Sequence, residues 1–148
     1  MNILIKKSIP NAITLSNLFL GFVSIIMLAM SLNLSGKFVD IACYLILISS
    51  VLDSVDGKIA RKLNISSDFG KEIDSLADLI SFCLAPAFLL FVYYYNLGFD
   101  NGEYIGVLPI NVLIFFSSFP VIFGAIRLAK YNVLREMRDS TKYVGLPT

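Results

Sequence analysis

The chain contains no histidine and only two cysteines, Cys43 and Cys83, among its 148 residues. Without histidine there is no imidazole base, no Ser-His triad and no zinc site that uses histidine ligands. Two cysteines allow neither a disulfide framework nor a metal site of four thiolates. Chemistry in this protein therefore depends on carboxylates, hydroxyl groups, lysine, arginine and bound metal ions.

Charged residues are also scarce, at 16% of the chain, which is well below their share in an ordinary soluble domain. Hydrophobic residues make up 57% of the chain, and the mean hydropathy is +0.78. This composition predicts a surface that faces mostly lipid. The formal net charge of +1 argues against a nucleic acid partner, since binding to phosphates requires many basic residues.

Uncharged stretches indicate the membrane spans. No charged residue lies between Lys7 and Lys37, from Leu79 to Phe99, or from Tyr104 to Ile126. A bilayer crossing needs about 20 apolar helical residues, so each stretch predicts one span. The first stretch is too long for a cleavable signal peptide and is expected to be retained. We expect an all-α, polytopic transmembrane helix bundle, one membrane domain over residues 1–148, with spans at roughly 12–33, 38–60, 71–95 and 104–126.

The second and third spans must include carboxylates. The uncharged stretch from Ile41 to Leu52 is too short to cross a bilayer as a helix. Extension to a full span takes in Asp53 and Asp56, and the third span extended backwards takes in Asp74 and Asp78. Carboxylates at this depth are costly and usually mark a functional cavity.

The basic residues predict the orientation of the spans. With four spans, one side of the membrane holds 11 of the 12 basic residues, and Lys37 alone lies on the other side. The 11 are Lys6, Lys7, Lys58, Arg61, Lys62, Lys71, Arg127, Lys130, Arg135, Arg138 and Lys142. The positive-inside rule then places the N-terminus, the loop near residues 60–72 and the C-terminal tail in the cytoplasm.

The acidic residues lie on matching helix faces. At the helical period, one broad face of the second helix holds Asp53, Asp56, Gly57 and Ala60. In the next helix, one face holds Gly70, Asp74 and Asp78. A short loop joins the two helices, so we expect them to be antiparallel neighbours whose acidic faces meet near the cytoplasmic rim.

Four clustered carboxylates repel one another, and Lys58 and Arg61 cannot neutralise them all. Two divalent cations would do so, and oxygen ligands suit Mg²⁺, Mn²⁺ or Ca²⁺. A metal pair is the usual clamp for displacement at phosphorus. The small residues Gly57, Ala60 and Gly70 leave room for a phosphate. The alternative is a solvated acidic rim beside a tightly packed Gly/Ala helix face.

The order of these residues resembles the signature of the CDP-alcohol phosphatidyltransferases. Every fixed position of that signature is matched between Asp53 and Asp78: Asp53-x2-Asp56-Gly57-x2-Ala60-Arg61-x8-Gly70-x3-Asp74-x3-Asp78. The resemblance implies a pair of Mg²⁺ or Mn²⁺ ions held by the first three aspartates, with Asp78 as a further ligand or the catalytic base. It also implies a CDP-binding role for Asp56, Gly57, Ala60, Arg61 and Gly70.

Flanking segments resemble the phosphatidylserine synthase branch of that family. They are Ile9–Gly21, Gly70–Ala87, Arg127–Val133 and Tyr143–Pro147. The resemblance implies transfer of a phosphatidyl group from CDP-diacylglycerol to L-serine, giving phosphatidylserine and CMP, in a membrane homodimer. Such enzymes usually have about six membrane helices, so the resemblance implies that the last two are lacking from this chain.

Further polar residues have two interpretations each. Three of them, Asn11, Thr14 and Asn17, lie on one side of the first helix and either cap its polar end or contact the nucleotide. Arg127 and Lys130 either anchor the fourth span or bind the serine carboxylate. Ser81 either faces the serine pocket or bonds its own helix backbone.

Three other functions compete with serine transfer. A sister transferase would use inositol phosphate, glycerol phosphate or another alcohol as acceptor, since the aspartate signature is common to all. A cation transporter would use the intramembrane carboxylates, but it predicts charges at mid-membrane rather than at one rim. A non-catalytic subunit would only bind the CDP-lipid.

Overall fold

The computed structural model describes residues 3–32, 37–63, 68–100, 103–104 and 108–142. Within these ranges it describes only the backbone of 3–10, 56, 59–63, 68, 99–100, 103–104, 135–136 and 138–142, so the side chains of Asp56, Ala60 and Arg61 lie outside it. Six α-helices and one π-helical segment, Leu79–Leu84, account for most of this part of the chain. The helices are α1 (Ile3–Ser31), α2 (Val39–Leu63), α3 (Asp68–Asp78), α4 (Ala85–Leu97), α5 (Ile110–Ser117) and α6 (Phe119–Lys142). The predicted all-α class is confirmed.

The helix that contains the predicted third span is continuous from α3 through the π-helical segment into α4. Within it, the backbone N–H of Ala85 donates to the carbonyl of Ile80, five residues earlier. Pro86 follows directly and supplies no N–H, and its ring crowds the carbonyl four residues before it. A widened turn relieves that crowding, and it lies immediately after Asp78. Such π-bulges are frequent at functional sites.

Helices α5 and α6 form one kinked stretch that bends at Ser118. The backbone N–H of Ser118 donates to Ile114 and Phe115, and its hydroxyl donates to the Phe115 carbonyl at 2.7 Å. The break has a local cause, since Pro120 disfavours a straight helix across the preceding turn.

Three helical stretches of the described chain are long and apolar enough to cross a membrane: Asn11–Ser31, Phe69–Leu97 and Ile110–Leu134. Helix α2 is of similar length, but it carries Asp40, Asp53, Asp56 and Lys58 and does not belong to this set. Large apolar side chains such as Phe19, Leu47 and Phe123 are 62% to 63% exposed. A lipid environment would cover them.

Two predicted helix limits need correction. Helix α1 begins at Ile3 and includes Pro10, whereas the predicted span begins near residue 12. The last stretch begins at Ile110 rather than near residue 104. Glu103 and Tyr104 instead pair in antiparallel fashion with Phe99–Asp100, and the extended residue Pro109 caps α5.

Small residues bring α1 and α6 against the π-helical segment. A Cβ atom on Gly21 of α1 would meet the Ser81 side chain and lie 2.9 Å from the Ser81 Cα. A Cβ on Gly124 of α6 would likewise meet the Cys83 sulfur. Close backbone approach at small residues is the usual way in which membrane helices associate. The segment that follows Asp78 is therefore held from two sides.

Candidate active site

Three aspartates from two helices converge at one point. Asp53 lies on α2, and Asp74 and Asp78 lie one turn apart on α3. One carboxylate oxygen from each of the three lies within 4.8 Å of the others. Helix α1 packs against both α2 and α3 and thus brings the two acidic faces together. The sequence placed these residues on matching faces, and the structure joins them.

One oxygen atom of this cluster is buried without a described partner. The Oδ1 atom of Asp78 is buried and accepts no hydrogen bond from any described residue. A buried carboxylate oxygen without a donor is costly, and three neighbouring carboxylates add mutual repulsion. A divalent cation would supply both the missing contact and the missing positive charge. The oxygen-only donor set fits Mg²⁺, Mn²⁺ or Ca²⁺.

The remaining signature residues lie next to this cluster in sequence. Gly57 and Gly70 are half-buried, on α2 and α3 respectively. The backbone of α2 carries Asp56, Ala60 and Arg61 through the same helix, but their side chains lie outside the described residues. Their proposed contacts with metal and nucleotide stay predictions.

The polar residues of α1 differ in accessibility. Asn11 is half-buried, whereas Thr14 is 5% exposed and Asn17 only 1% exposed. The Oδ1 atom of Asn17 accepts a hydrogen bond from the hydroxyl of Ser49 on α2. The Asn17 backbone carbonyl accepts one from the Ser81 hydroxyl at 3.1 Å. Asn17 therefore bonds to neighbouring helices.

The residues expected at the acceptor side differ in burial. Ser81 is fully buried and donates to α1 rather than to its own helix. Arg127 and Lys130 are exposed on α6. Helix α6 is joined to α3 by Asn132, whose Nδ2 donates to the Ser75 hydroxyl at 3.2 Å.

The sequence interpretation did not single out Ser49, Ser75 or Asn132. The available signals were positional: Ser49 lies one turn before Asp53, Ser75 follows Asp74 directly, and Asn132 lies in the flanking segment Arg127–Val133. Polar residues this close to a carboxylate cluster are candidates for its supporting contacts.

The family model for CDP-alcohol phosphatidyltransferase matches residues 7–148. The chain is 40% identical over 138 residues to a CDP-diacylglycerol–serine O-phosphatidyltransferase of Helicobacter pylori, covering 93% of the chain and 51% of that relative. It is 35% identical over 143 residues to the archaetidylserine synthase of Methanothermobacter thermautotrophicus, covering 95% of the chain and 52% of that relative.

A third relative is a CDP-diacylglycerol–serine O-phosphatidyltransferase of Bacillus subtilis. It is 35% identical over 139 residues, covering 94% of the chain and 68% of that relative. The chain spans about half the length of several curated relatives that it matches. No solved structure matches it significantly.

Proposed function

The chain belongs to the CDP-alcohol phosphatidyltransferase family, and from this membership we propose that it transfers a phosphatidyl group from a CDP-activated lipid to L-serine. The products are phosphatidylserine and CMP. The observation that carries the proposal is the convergence of Asp53, Asp74 and Asp78 within 4.8 Å. An oxygen-lined site of this kind can hold the divalent cations used in displacement at phosphorus.

Asp53, Asp56, Asp74 and Asp78 would hold a pair of Mg²⁺ or Mn²⁺ ions. When bound, the metal pair polarises the diphosphate and stabilises the charge on the departing CMP. Gly57, Ala60 and Gly70 leave room for the nucleotide, and Arg61 supplies positive charge beside it. Asn11 and Thr14 line the nucleotide from α1. This arrangement orients the phosphorus that carries the lipid.

Asp78 is the proposed base. Its carboxylate takes the proton from the serine hydroxyl, and the serine oxygen attacks the phosphorus attached to the lipid. The new P–O bond to serine forms while the bond to the CMP oxygen breaks. Asp78 leaves the step protonated, and CMP leaves with the electron pair of the broken bond. Atoms and charge balance without any further reactant.

The serine acceptor rests on the relatives. Serine appears in the names of the two CDP-diacylglycerol–serine O-phosphatidyltransferases and of the archaetidylserine synthase. Serine is a zwitterion, so its carboxylate needs a cation, which Arg127 or Lys130 supplies from the exposed face of α6. A backbone carbonyl near the π-helical segment accepts from its ammonium group, because the Ser81 hydroxyl is fully buried and bonded to Asn17.

We further propose that α2 crosses the membrane with the three apolar stretches, and that the cluster faces the cytoplasm. The 11-to-1 distribution of basic residues supports this orientation. We also propose that the protein forms the homodimer that the family resemblance implies.

A panel of acceptors tests the function. In protein purified in detergent with CDP-diacylglycerol and Mn²⁺, L-serine is expected to stimulate CMP release at least tenfold more than glycerol 3-phosphate or inositol phosphate. A dianionic phosphate would require two or more cations at the acceptor pocket. Equal rates with a phosphorylated alcohol would rule out serine, and no CMP release with any alcohol would favour the non-catalytic alternative.

Arg127→Ala is expected to raise the KM for serine about tenfold and to leave the KM for the CDP-lipid nearly unchanged. The reason is the loss of the cation that pairs with the serine carboxylate. Ile126→Ala removes a neighbouring exposed side chain without a change of charge and serves as the control. An equal rise in both KM values would assign Arg127 to membrane anchoring instead.

Ala60→Leu is expected to raise the KM for the CDP-lipid at least tenfold, because a larger side chain one turn after Asp56 enters the nucleotide space. Folding in detergent should change little, since leucine favours helix. Val55→Leu, at an exposed position on the same helix, is the matched control. Unchanged affinity for the CDP-lipid in folded Ala60→Leu would place Ala60 in a helix contact.

A further inference from the structure

Three buried polar residues from three segments meet at Asn17. Asn17 of α1 is 1% exposed, and Ser49 of α2 and Ser81 of the π-helical segment are fully buried. Ser49 donates to the Asn17 side-chain carbonyl, and Ser81 donates to the Asn17 backbone carbonyl at 3.1 Å. We call Asn17, Ser49 and Ser81 the Asn17 junction. It links α1 to α2, which carries Asp53, and to the π-helical segment that directly follows Asp78.

Each serine of the junction lies close in sequence to one aspartate of the carboxylate cluster. Ser49 precedes Asp53 by about one turn of α2. Ser81 follows Asp78 by three residues and lies in the π-helical segment that begins directly after Asp78. A shift or rotation of either segment at the junction would therefore move the corresponding aspartate.

Helix α1 and the π-helical segment pack closely at the junction. Gly21 lies one turn after Asn17 on α1, and any side chain there would meet Ser81. Helix α1 is thus pressed against the π-helical segment at the point where the Ser81 hydrogen bond forms. Packing at Gly21 limits the distance between the segments, and the hydrogen bonds of Asn17 select their register.

The hydrogen bonds of Asn17 are incomplete. Its Nδ2 atom is buried and has no partner among the described residues. A buried donor without an acceptor opposes folding, so Asn17 is a poor choice for stability alone. A single buried asparagine that specifies the register of packed helices at a cost in stability is a known arrangement.

We propose that Asn17 is a positioning residue that sets the separation of Asp53 and Asp78 through Ser49 and Ser81. This inference rests on the proposed metal site, because the separation of the two carboxylates determines how well they share a cation. Asn17 needs no contact with the substrate for this role. We propose this positioning role in place of the contact with the nucleotide that the sequence predicted for Asn17.

Direct metal binding is the first test. Asn17→Leu keeps a side chain of similar volume and removes the side-chain hydrogen bond to Ser49. In detergent-purified protein, the Kd for Mn²⁺, measured by electron paramagnetic resonance, is expected to rise at least tenfold. Ser31→Ala is the matched control, since it removes the Asn96–Ser31 hydrogen bond at the far end of α1 from the junction. Its Kd for Mn²⁺ should equal that of the unsubstituted protein.

A metal-free measurement separates this inference from the proposed function. Asp53→Cys and Asp78→Cys are introduced together in a protein with Cys43→Ala and Cys83→Ala. Mild oxidation should join the two new cysteines several-fold faster with Asn17 present than with Asn17→Leu. If the unsubstituted protein binds no Mn²⁺, the proposed metal site is wrong, and the rate of disulfide formation alone decides the role of Asn17.

Two results would overturn the proposal. One is an unchanged Kd for Mn²⁺ together with an unchanged rate of disulfide formation in Asn17→Leu. The other is an equal loss of Mn²⁺ affinity in Asn17→Leu and Ser31→Ala, which would indicate general loosening of the bundle. If Asn17→Leu does not fold, Ser49→Ala and Ser81→Ala each remove the hydrogen bonding of one serine to Asn17. Each is then expected to raise the Kd about threefold, and no change in either would count against the junction.

Discussion

Asp78→Asn is expected to lower CMP release about 10³-fold, within the range that loss of a general base usually costs. The amide has nearly the same shape as the carboxylate but cannot take the proton from the serine hydroxyl. Binding of the nucleotide at saturating Mn²⁺ should largely survive, because Asp53, Asp56 and Asp74 still hold metal, although more weakly than with Asp78 present. The measurement pairs the rate of CMP release with the Kd for CMP in the presence of Mn²⁺.

The matched control for Asp78 is Glu72→Gln, which removes an exposed carboxylate from the same helix, α3. This change should leave both the rate and the Kd for CMP at their original values. If Asp78→Asn instead loses Mn²⁺ and nucleotide together, Asp78 acts mainly as a metal ligand. Its buried and unpartnered Oδ1 atom would then face the metal rather than the acceptor.

Removal of divalent metal is expected to abolish CMP release. The carboxylates of Asp53, Asp74 and Asp78 lie within 4.8 Å of one another, and without a cation they repel both one another and the diphosphate. Excess EDTA should lower the rate by at least about 100-fold, a scale expected for loss of a main electrostatic contribution. Addition of Mg²⁺ or Mn²⁺ should restore the rate.

Adding metal back after EDTA distinguishes a rate lost through metal removal from a rate lost through damage to the protein in detergent. A rate that stays low after Mn²⁺ is added in excess of the chelator would indicate irreversible unfolding. The result that contradicts the metal mechanism is full turnover in excess EDTA. Conduction of cations by the protein in vesicles, without CMP release, would favour the transporter instead.

The helical class and most of the helix positions could be predicted from the distribution of charge alone. A lipid environment forbids unpaired backbone groups, so a long uncharged stretch must be helical whatever its neighbours are. Phe22 and Phe88 accordingly lie in helices that are long and apolar enough to cross a membrane. Errors arose at helix ends: α1 extends back to Ile3, and the last stretch begins at Ile110 because Glu103–Tyr104 pair with Phe99–Asp100, which hydropathy does not predict.

The spacing of Asp53, Asp74 and Asp78 determined which residues share a helix face, because the period of an α-helix is the same in every protein. The aspartate signature also determined the family. Both conclusions depend on residue types at fixed separations, and neither requires knowledge of how the helices are arranged.

Only the tertiary structure decided which faces meet. The helical period leaves the rotation and the axial position of one helix against another undetermined, and these depend on close contacts such as Gly21 against Ser81. For that reason Asn17, expected at the nucleotide, lies buried between Ser49 and Ser81. The π-helical turn after Asp78 has a local cause in Pro86, but its contacts with Gly21 and Gly124 depend on how the helices pack and could not be read from one helix.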